Sequence, residues 1–212
     1  MLYSVAAVTG YLLGSVPTGY LVARARGVDI RQYGSGNIGA TNVFRALGKP
    51  AGIFVLLVDA AKGALATAVL PVLLSRLAGG ANASPEWLAI VAGVAAILGH
   101  NYTCWLGFKG GKGIATSAGV LLILIPAGLG LALATWLVVF LIWRYVSLAS
   151  VVAAAMLPLL VWLTGASSTL VGLAVILGAL AVYKHRANIQ RLRAGTENRF
   201  SRRRAPGTQT KT

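Results

Sequence analysis

Residues 34–42 read Gly-Ser-Gly-Asn-Ile-Gly-Ala-Thr-Asn, and Arg45 stands three residues beyond. Gly34, Gly36 and Gly39 allow backbone conformations that turn successive N–H groups toward one point, the geometry of an anion-binding nest. Ser35, Asn37, Thr41 and Asn42 add neutral hydrogen-bonding groups, and Arg45 adds a fixed, planar charge suited to phosphate. A second candidate is Lys109-Gly110-Gly111-Lys112-Gly113, which opens an apolar stretch expected to be helical. A glycine turn, a lysine and a helix N-terminus together make a phosphate site, although the spacing is not that of a nucleotide-binding P-loop. The third is His185-x-x-Asn188, whose i, i+3 spacing puts both side chains on one helical face. Ser147 and Ser150 stand at the same spacing near the start of another apolar stretch. Chemistry on a phosphate-bearing substrate is the common denominator: Ser35, Arg45, His185 and Asn188 are candidates for catalysis. The glycines at 34, 36, 39, 110, 111 and 113, with Asn37, Thr41, Asn42, Lys112, Ser147 and Ser150, are candidates for substrate binding.

What must position these residues is a membrane bundle. The chain has 212 residues, of which 57% are hydrophobic and 11% charged, against roughly 45–50% and about 25% in soluble domains. Nineteen Lys+Arg face four Asp+Glu, for a net charge of +15, and they cluster between long apolar runs. That clustering argues against a soluble nucleic-acid binder. Residues 2–23 carry no charge and lack the cationic start of a signal peptide, so they are expected to stay as a span. Residues 51–75 and 87–108 are further spans. Residues 114–143 are uncharged but broken by Pro126, Gly128 and Gly130, and residues 146–183 are broken at 164–168 into two helices. If 114–143 is a hairpin turning near Pro126, 17 of the 19 Lys+Arg fall on one side, as the positive-inside rule requires. The expected fold is therefore all-α, with seven transmembrane helices, some of them short, the N-terminus outside and the C-terminus cytoplasmic. Residues 1–198 form one integral-membrane domain, and 199–212 form a basic cytoplasmic tail expected to be disordered.

Asp59 and Lys62, at i, i+3 within a span, are expected to neutralise each other. The segment 14–19 (Gly-Ser-Val-Pro-Thr-Gly) is expected to kink the first helix. Cys104 excludes a disulfide framework and reads as an apolar filler. No cluster suggests a metal, and no cofactor is expected. A transporter of an anionic solute would share the basic loops, but it should line a path through the midplane with polar groups, and here the midplane offers little beyond Asp59 and Lys62.

In order, the motifs GS-x-P-x-GY (14–20), GSGNIGATNVFRALG (34–48), DAAKG (59–63), LGHNY (98–102), FKGGKG (108–113), RYVSLAS (144–150) and KHRANIQRLRAGTE (184–197) resemble the bacterial membrane acyl-phosphate:glycerol-3-phosphate acyltransferase family. The resemblance covers nearly the whole chain. It implies an enzyme of the bacterial inner membrane, its site facing the cytoplasm, that moves a fatty acyl group from acyl phosphate to glycerol 3-phosphate. Lysophosphatidic acid and phosphate are the products, and neither acyl-CoA nor acyl-carrier protein is the donor. The partners it implies are these two substrates and membrane lipids, with no nucleic acid and no obligate protein partner. On that basis the 35–42 loop is assigned to the acyl-phosphate head. Arg45, Lys112 and the 110–113 turn are assigned to glycerol 3-phosphate, and His185 and Asn188 to orientation of its hydroxyl. The base is left open between His185 and the substrate's own phosphate. Transfer is expected to be direct, because no serine or cysteine stands in a nucleophile motif.

Overall fold

A computed structural model describes residues 1–77 and 84–200, and every regular element among them is helical. In chain order these are α1 (Leu2–Ser15), α2 (Thr18–Arg24), α3 (Ala40–Leu47), α4 (Lys49–Leu77), α5 (Pro85–Asn101), α6 (Ile114–Leu124), α7 (Pro126–Trp143), α8 (Val146–Leu163), α9 (Ser168–Lys184) and α10 (Arg186–Arg193). Short 3-10 turns lie at Ile30–Gln32 and Cys104–Leu106. Leu2–Arg24, α4, Pro85–Leu106, α7 and α8 are each long and apolar enough to cross a membrane. The pair α9 and α10 would make a sixth span bent by 56°, and α6 is shorter. Large apolar side chains such as Phe54, Leu57, Leu141 and Ile176 point outward, each more than half exposed. In a protein with this composition that surface faces lipid.

Small residues decide which helices meet. Gly10 and Gly14 of α1 lie on the backbone of Ala92 and Ala96 of α5, and Gly99 lies on the carbonyl of Tyr11. Gly63 of α4 and Gly119 of α6 meet the backbones of Thr116 and Ala60 in the same way. Without a hydrophobic gradient between lipid and protein, such backbone proximity is what gives helices dispersion contacts to hold them together. A second layer packs α7 and α9 against α8, with Val120, Leu129, Leu157, Val161, Leu173 and Leu177 in the core shared with α5 and α6.

Breaks in the helices, more than the helices themselves, build the site. Pro17 has no N–H to continue α1, so the chain restarts as α2 at Thr18. The expected third span stops as a regular helix at Asn101, seven residues short of Phe108. Pro126 starts α7 directly after α6, so the apolar run 114–143 is divided into two helices there. Arg144, in the left-handed conformation at φ +62°, ends α7, and its N–H is held by the Phe140 carbonyl. That turn sends α8 back with Ser147 and Ser150 in its opening turns. Arg199 and Phe200, expected in the tail, are docked: the Arg199 Nε donates to the Trp143 carbonyl at 3.3 Å and the Phe200 N–H to that of Arg144 at 2.7 Å. The rest of the expected tail, 201–212, lies outside the described residues.

Candidate active site

Asn42, on the first turn of α3, shapes the 34–39 loop. Its amide nitrogen donates to the carbonyls of Ile30 (3.2 Å), Tyr33 (2.9 Å) and Asn37 (2.9 Å), and its oxygen accepts the Ser35 N–H at 3.1 Å. The residue is 2% exposed. Asn42 was expected to offer a donor to substrate; the structure uses the whole amide to hold the loop. Gly34 and Gly36 take φ of +56° and +68°, which side chains other than glycine rarely adopt. Asn37 is also turned inward on the loop, its oxygen accepting the Gly39 N–H at 2.9 Å. Ser35, Thr41 and Arg45 face the cavity, as does the rest of Asn37.

The glycine turn before α6 departs from a simple phosphate cradle. The Gly110 N–H donates to the Asn101 carbonyl at 3.3 Å and the Gly111 N–H to that of His100 at 2.9 Å, both inward onto the end of α5. Among the described residues, the N–H groups of Lys112 and Gly113 make no hydrogen bond, so the part of the turn left for an anion is its second half. Gly113 sits at φ +78° and opens α6. The Lys112 ammonium donates to Asn188 Oδ1 at 2.6 Å. Burial lowers its pKa to about 8; Glu197 opposes the fall, while Arg191, Arg45 and Lys184 add to it.

Glu197 is the hub on the other wall. One carboxylate oxygen accepts from Ser147 Oγ and from Asn188 Nδ2, each at 2.9 Å, and the other accepts from Arg191 Nε at 2.7 Å. Burial alone would raise its pKa, but the hydrogen bonds from Asn188, Arg191 and Ser147 outweigh it and keep the carboxylate charged. Asn188 thus joins Glu197 to Lys112 through its two ends. His185, just past the end of α9, brings Nδ1 within 2.8 Å of the Ala181 carbonyl, which can only accept. The proton of the neutral ring therefore sits on Nδ1, and the Nε2 lone pair is left for a ligand. Burial and the Lys112 cation push the His185 pKa down to about 4, so the ring is neutral at physiological pH. Arg45, on the exposed side of α3, donates to the Asn198 carbonyl at 3.3 Å. Ser150 is engaged on both sides, accepting from Trp136 Nε1 at 3.1 Å and donating to the Val146 carbonyl at 2.9 Å.

Two cavities meet here. The larger, about 310 Å³, is lined by the polar residues Ser35, Arg45, Lys112, His185 and Asn188 and by the apolar residues Leu56, Ile114, Ala118, Leu133 and Trp136. The smaller, about 260 Å³, is lined by Gly36, Gly110, Gly111, Lys184, Arg186 and Arg191. Ser35, Asn37, Lys112 and Asn188 belong to both. Every expected site residue except Gly34 lines one of the two. His100, near the end of the third apolar run and a candidate to line the site, reaches the larger cavity. Sequence reasoning missed Glu197 and Asp59 as site residues, and both reach that cavity with it. It had a weak signal for Glu197: a single acid among Arg191, Arg193 and Arg199. Among the described residues no group of His, Cys, Asp and Glu could hold a metal.

This arrangement has relatives. The family model for glycerol-3-phosphate acyltransferase matches residues 4–195. The chain belongs to that family. The glycerol-3-phosphate acyltransferase of Geotalea daltonii is 52% identical over 192 residues, covering 91% of this chain and 94% of the relative. That of Geobacter sulfurreducens is 51% identical over 190 residues, covering 90% and 93%. A solved structure of PlsY (YgiH), described as an integral membrane glycerol 3-phosphate acyltransferase in its glycerol 3-phosphate form, superposes with a TM-score of 0.82 at 40% identity. It covers 94% of this chain and 96% of that one. A second structure of PlsY, in the lysophosphatidic acid form, gives 0.80 at the same identity. The glycerol-3-phosphate acyltransferase family match stops short of Glu197, although the docked strap carries that carboxylate into the site.

Proposed function

We propose that this protein transfers a fatty acyl group from acyl phosphate to glycerol 3-phosphate, releasing lysophosphatidic acid and phosphate for phospholipid synthesis. The observation that carries the reading is the cavity whose lining combines Arg45, Lys112 and a neutral His185 with the apolar side chains of Leu56, Ala118, Leu133 and Trp136. The cations suit two phosphate groups, and the apolar lining suits an alkyl tail. The family membership supports the acceptor, and the chemistry of the site supports the donor. An acyl phosphate is a mixed anhydride whose leaving group needs charge stabilisation more than protonation, and cations supply that.

In this reading the 35–42 loop takes the acyl-phosphate head, and Arg45, Lys112 and the second half of the glycine turn take the acceptor's phosphate. His185 Nε2 accepts a hydrogen bond from the acceptor hydroxyl, and Asn188 holds Lys112 in register. The hydroxyl oxygen attacks the carbonyl carbon, the bond from that carbon to the phosphate oxygen breaks, and the hydroxyl proton leaves on the released phosphate. A histidine with a pKa near 4 orients the hydroxyl better than it deprotonates it. Orientation of this kind lowers a barrier by about 7–11 kcal/mol, and one donor to the oxyanion adds about 3–4 kcal/mol.

The reading also places the protein in the bacterial inner membrane, as one domain over 1–198 with a basic tail from 199. It has seven membrane helices, with α6 the short one, the N-terminus outside, and the site and C-terminus in the cytoplasm. The bias of Lys and Arg supports that orientation. The experiment is direct: incubate the purified protein in detergent with glycerol 3-phosphate and, separately, acyl phosphate, acyl-CoA or acyl-carrier protein. Product is expected with acyl phosphate alone. Product from a thioester donor would overturn the donor assignment; no product from any donor would favour transport of an anionic solute.

A further inference from the structure

The chemistry above leaves a buried polar chain unused. The Lys62 ammonium on α4 has three partners: Asp59 Oδ1 at 2.8 Å, His100 Nδ1 at 2.9 Å and the Val16 carbonyl at 3.0 Å. Val16 lies at the break between α1 and α2, and His100 in the last turn of α5. All three side chains are 6% exposed or less. An i, i+3 pair on one helix can neutralise itself, so neutrality does not require an imidazole from another helix. An ammonium has no lone pair, so His100 Nδ1 accepts and the ring carries its proton on Nε2.

That Nε2 edge lies against Gly111, where a Cβ would overlap Nε2, Cε1 and Cδ2 of the ring. The carbonyls of His100 and Asn101 accept the N–H groups of Gly111 and Gly110. The glycine turn is therefore moulded on the end of α5, and the orientation of His100 is fixed from α4.

We propose that Asp59 and Lys62 are positioning residues that act through His100: they lock the imidazole against Gly111 and so set the turn in which Lys112 and its free N–H groups meet the acceptor's phosphate. The inference rests on the acceptor assignment made above. It gives the pair in the membrane a task in acceptor affinity, beyond cancelling two charges.

The test is a double-mutant cycle between His100 and Gly111, read as separate KM values for the two substrates. Gly111→Ala forces its methyl into the ring and is expected to raise KM for glycerol 3-phosphate at least tenfold, with a smaller fall in kcat and an unchanged KM for the acyl donor. His100→Ala loosens the turn, with an expected rise of about fivefold. In the double variant the methyl has space, so its KM is expected to lie below that of Gly111→Ala alone. A product of the two single effects, or a loss of turnover with both KM values unchanged, would overturn the proposal. Asp59→Asn combined with Lys62→Met removes both charges together and avoids stranding one in the membrane. It is expected to reproduce the KM rise for the acceptor, and a wild-type acceptor KM in this variant would equally overturn the proposal. A parallel thermal-shift titration with glycerol 3-phosphate separates the two inferences. If the wild-type protein neither turns over nor is stabilised by glycerol 3-phosphate, the acceptor assignment itself has failed. If it responds and the variants respond at the same concentrations, only the positioning role has failed.

Discussion

Raising the pH should strip the charge from Lys112 well before any exposed lysine loses its own. Its pKa lies at about 8, because the ammonium is buried and the cations of Arg191, Arg45 and Lys184 lie near it, against the opposing charge of Glu197. The profile of kcat/KM reports the free enzyme, so the value for glycerol 3-phosphate should be flat near neutrality and fall through pH 8. A single group with that pKa loses about tenfold of its charged form between pH 7 and pH 9. The limb in kcat should lie higher, because bound phosphate stabilises the ammonium. Two variants assign the limb. Lys112→Arg keeps a charge that does not titrate in this range, so activity will be lower but the alkaline limb should disappear. Glu197→Gln removes the carboxylate that supports the ammonium, so the limb should move to lower pH. The assay is initial rate against acceptor concentration at half-unit pH steps, with donor stability controlled at each pH. An alkaline limb that stays at pH 8 in Lys112→Arg would refute the assignment. A limb that does not move in Glu197→Gln would refute the electrostatic link from Glu197 to Lys112.

Three other outcomes are expected. Arg45→Ala should reduce activity by at least a hundredfold while the protein still inserts, and Arg45→Lys should recover little of it, since a point charge cannot reproduce a bidentate phosphate contact; near-normal activity in Arg45→Lys would show that charge alone matters there. Transfer should be direct: radiolabelled acyl phosphate given without acceptor should leave no stable label after denaturation. Ser147 is the residue to watch, because its hydroxyl already donates to a buried carboxylate; stoichiometric label there, discharged by glycerol 3-phosphate, would establish a covalent route. Finally, in a Cys104→Ser background, cysteines replacing Lys112, Arg144 and Lys184 should react only from the cytoplasmic side and one replacing Arg76 only from outside. Reaction at 144 from outside would break the hairpin of α6 and α7 as a topological reading.

The parts of this fold that depend on neighbours in sequence were legible in it. Pro17 breaks the first helix and Pro126 begins α7, both because proline lacks an N–H. The loops at 34–42 and 110–113 and the His185–Asn188 face are local patterns, and each reaches the same pair of cavities. What was not legible was how these groups spend their hydrogen bonds. Asn42 looks like a donor in sequence, but three carbonyls of its own loop compete for it and win because they are covalently close. Gly110 and Gly111 turn their N–H groups onto carbonyls that only become free where α5 ends at Asn101, earlier than the apolar run suggests. Glu197 stands in the same segment as His185 and Asn188, but its role was not legible, because its partner Ser147 is 50 residues away and the two meet through the packing of α8 against α10. In the same way Asp59 and Lys62 were legible as a pair, and His100, 38 residues from Lys62, was not.

The strap from Glu197 to Phe200 has a consequence for the order in which the protein assembles. The apolar helices precede it in the chain, so all of them can enter the bilayer before Glu197 docks. At that stage Arg191, Asn188 and Ser147 lack the carboxylate they share, and Arg45 lacks the Asn198 carbonyl. The polar end of the bundle is then a cluster of like charges, and docking of the strap converts it into an organised pocket. A nascent chain stalled or cut just before Glu197 would thus be inserted yet inert, and extra sequence attached directly after Phe200 would have to leave that residue seated between Phe44 and Phe140.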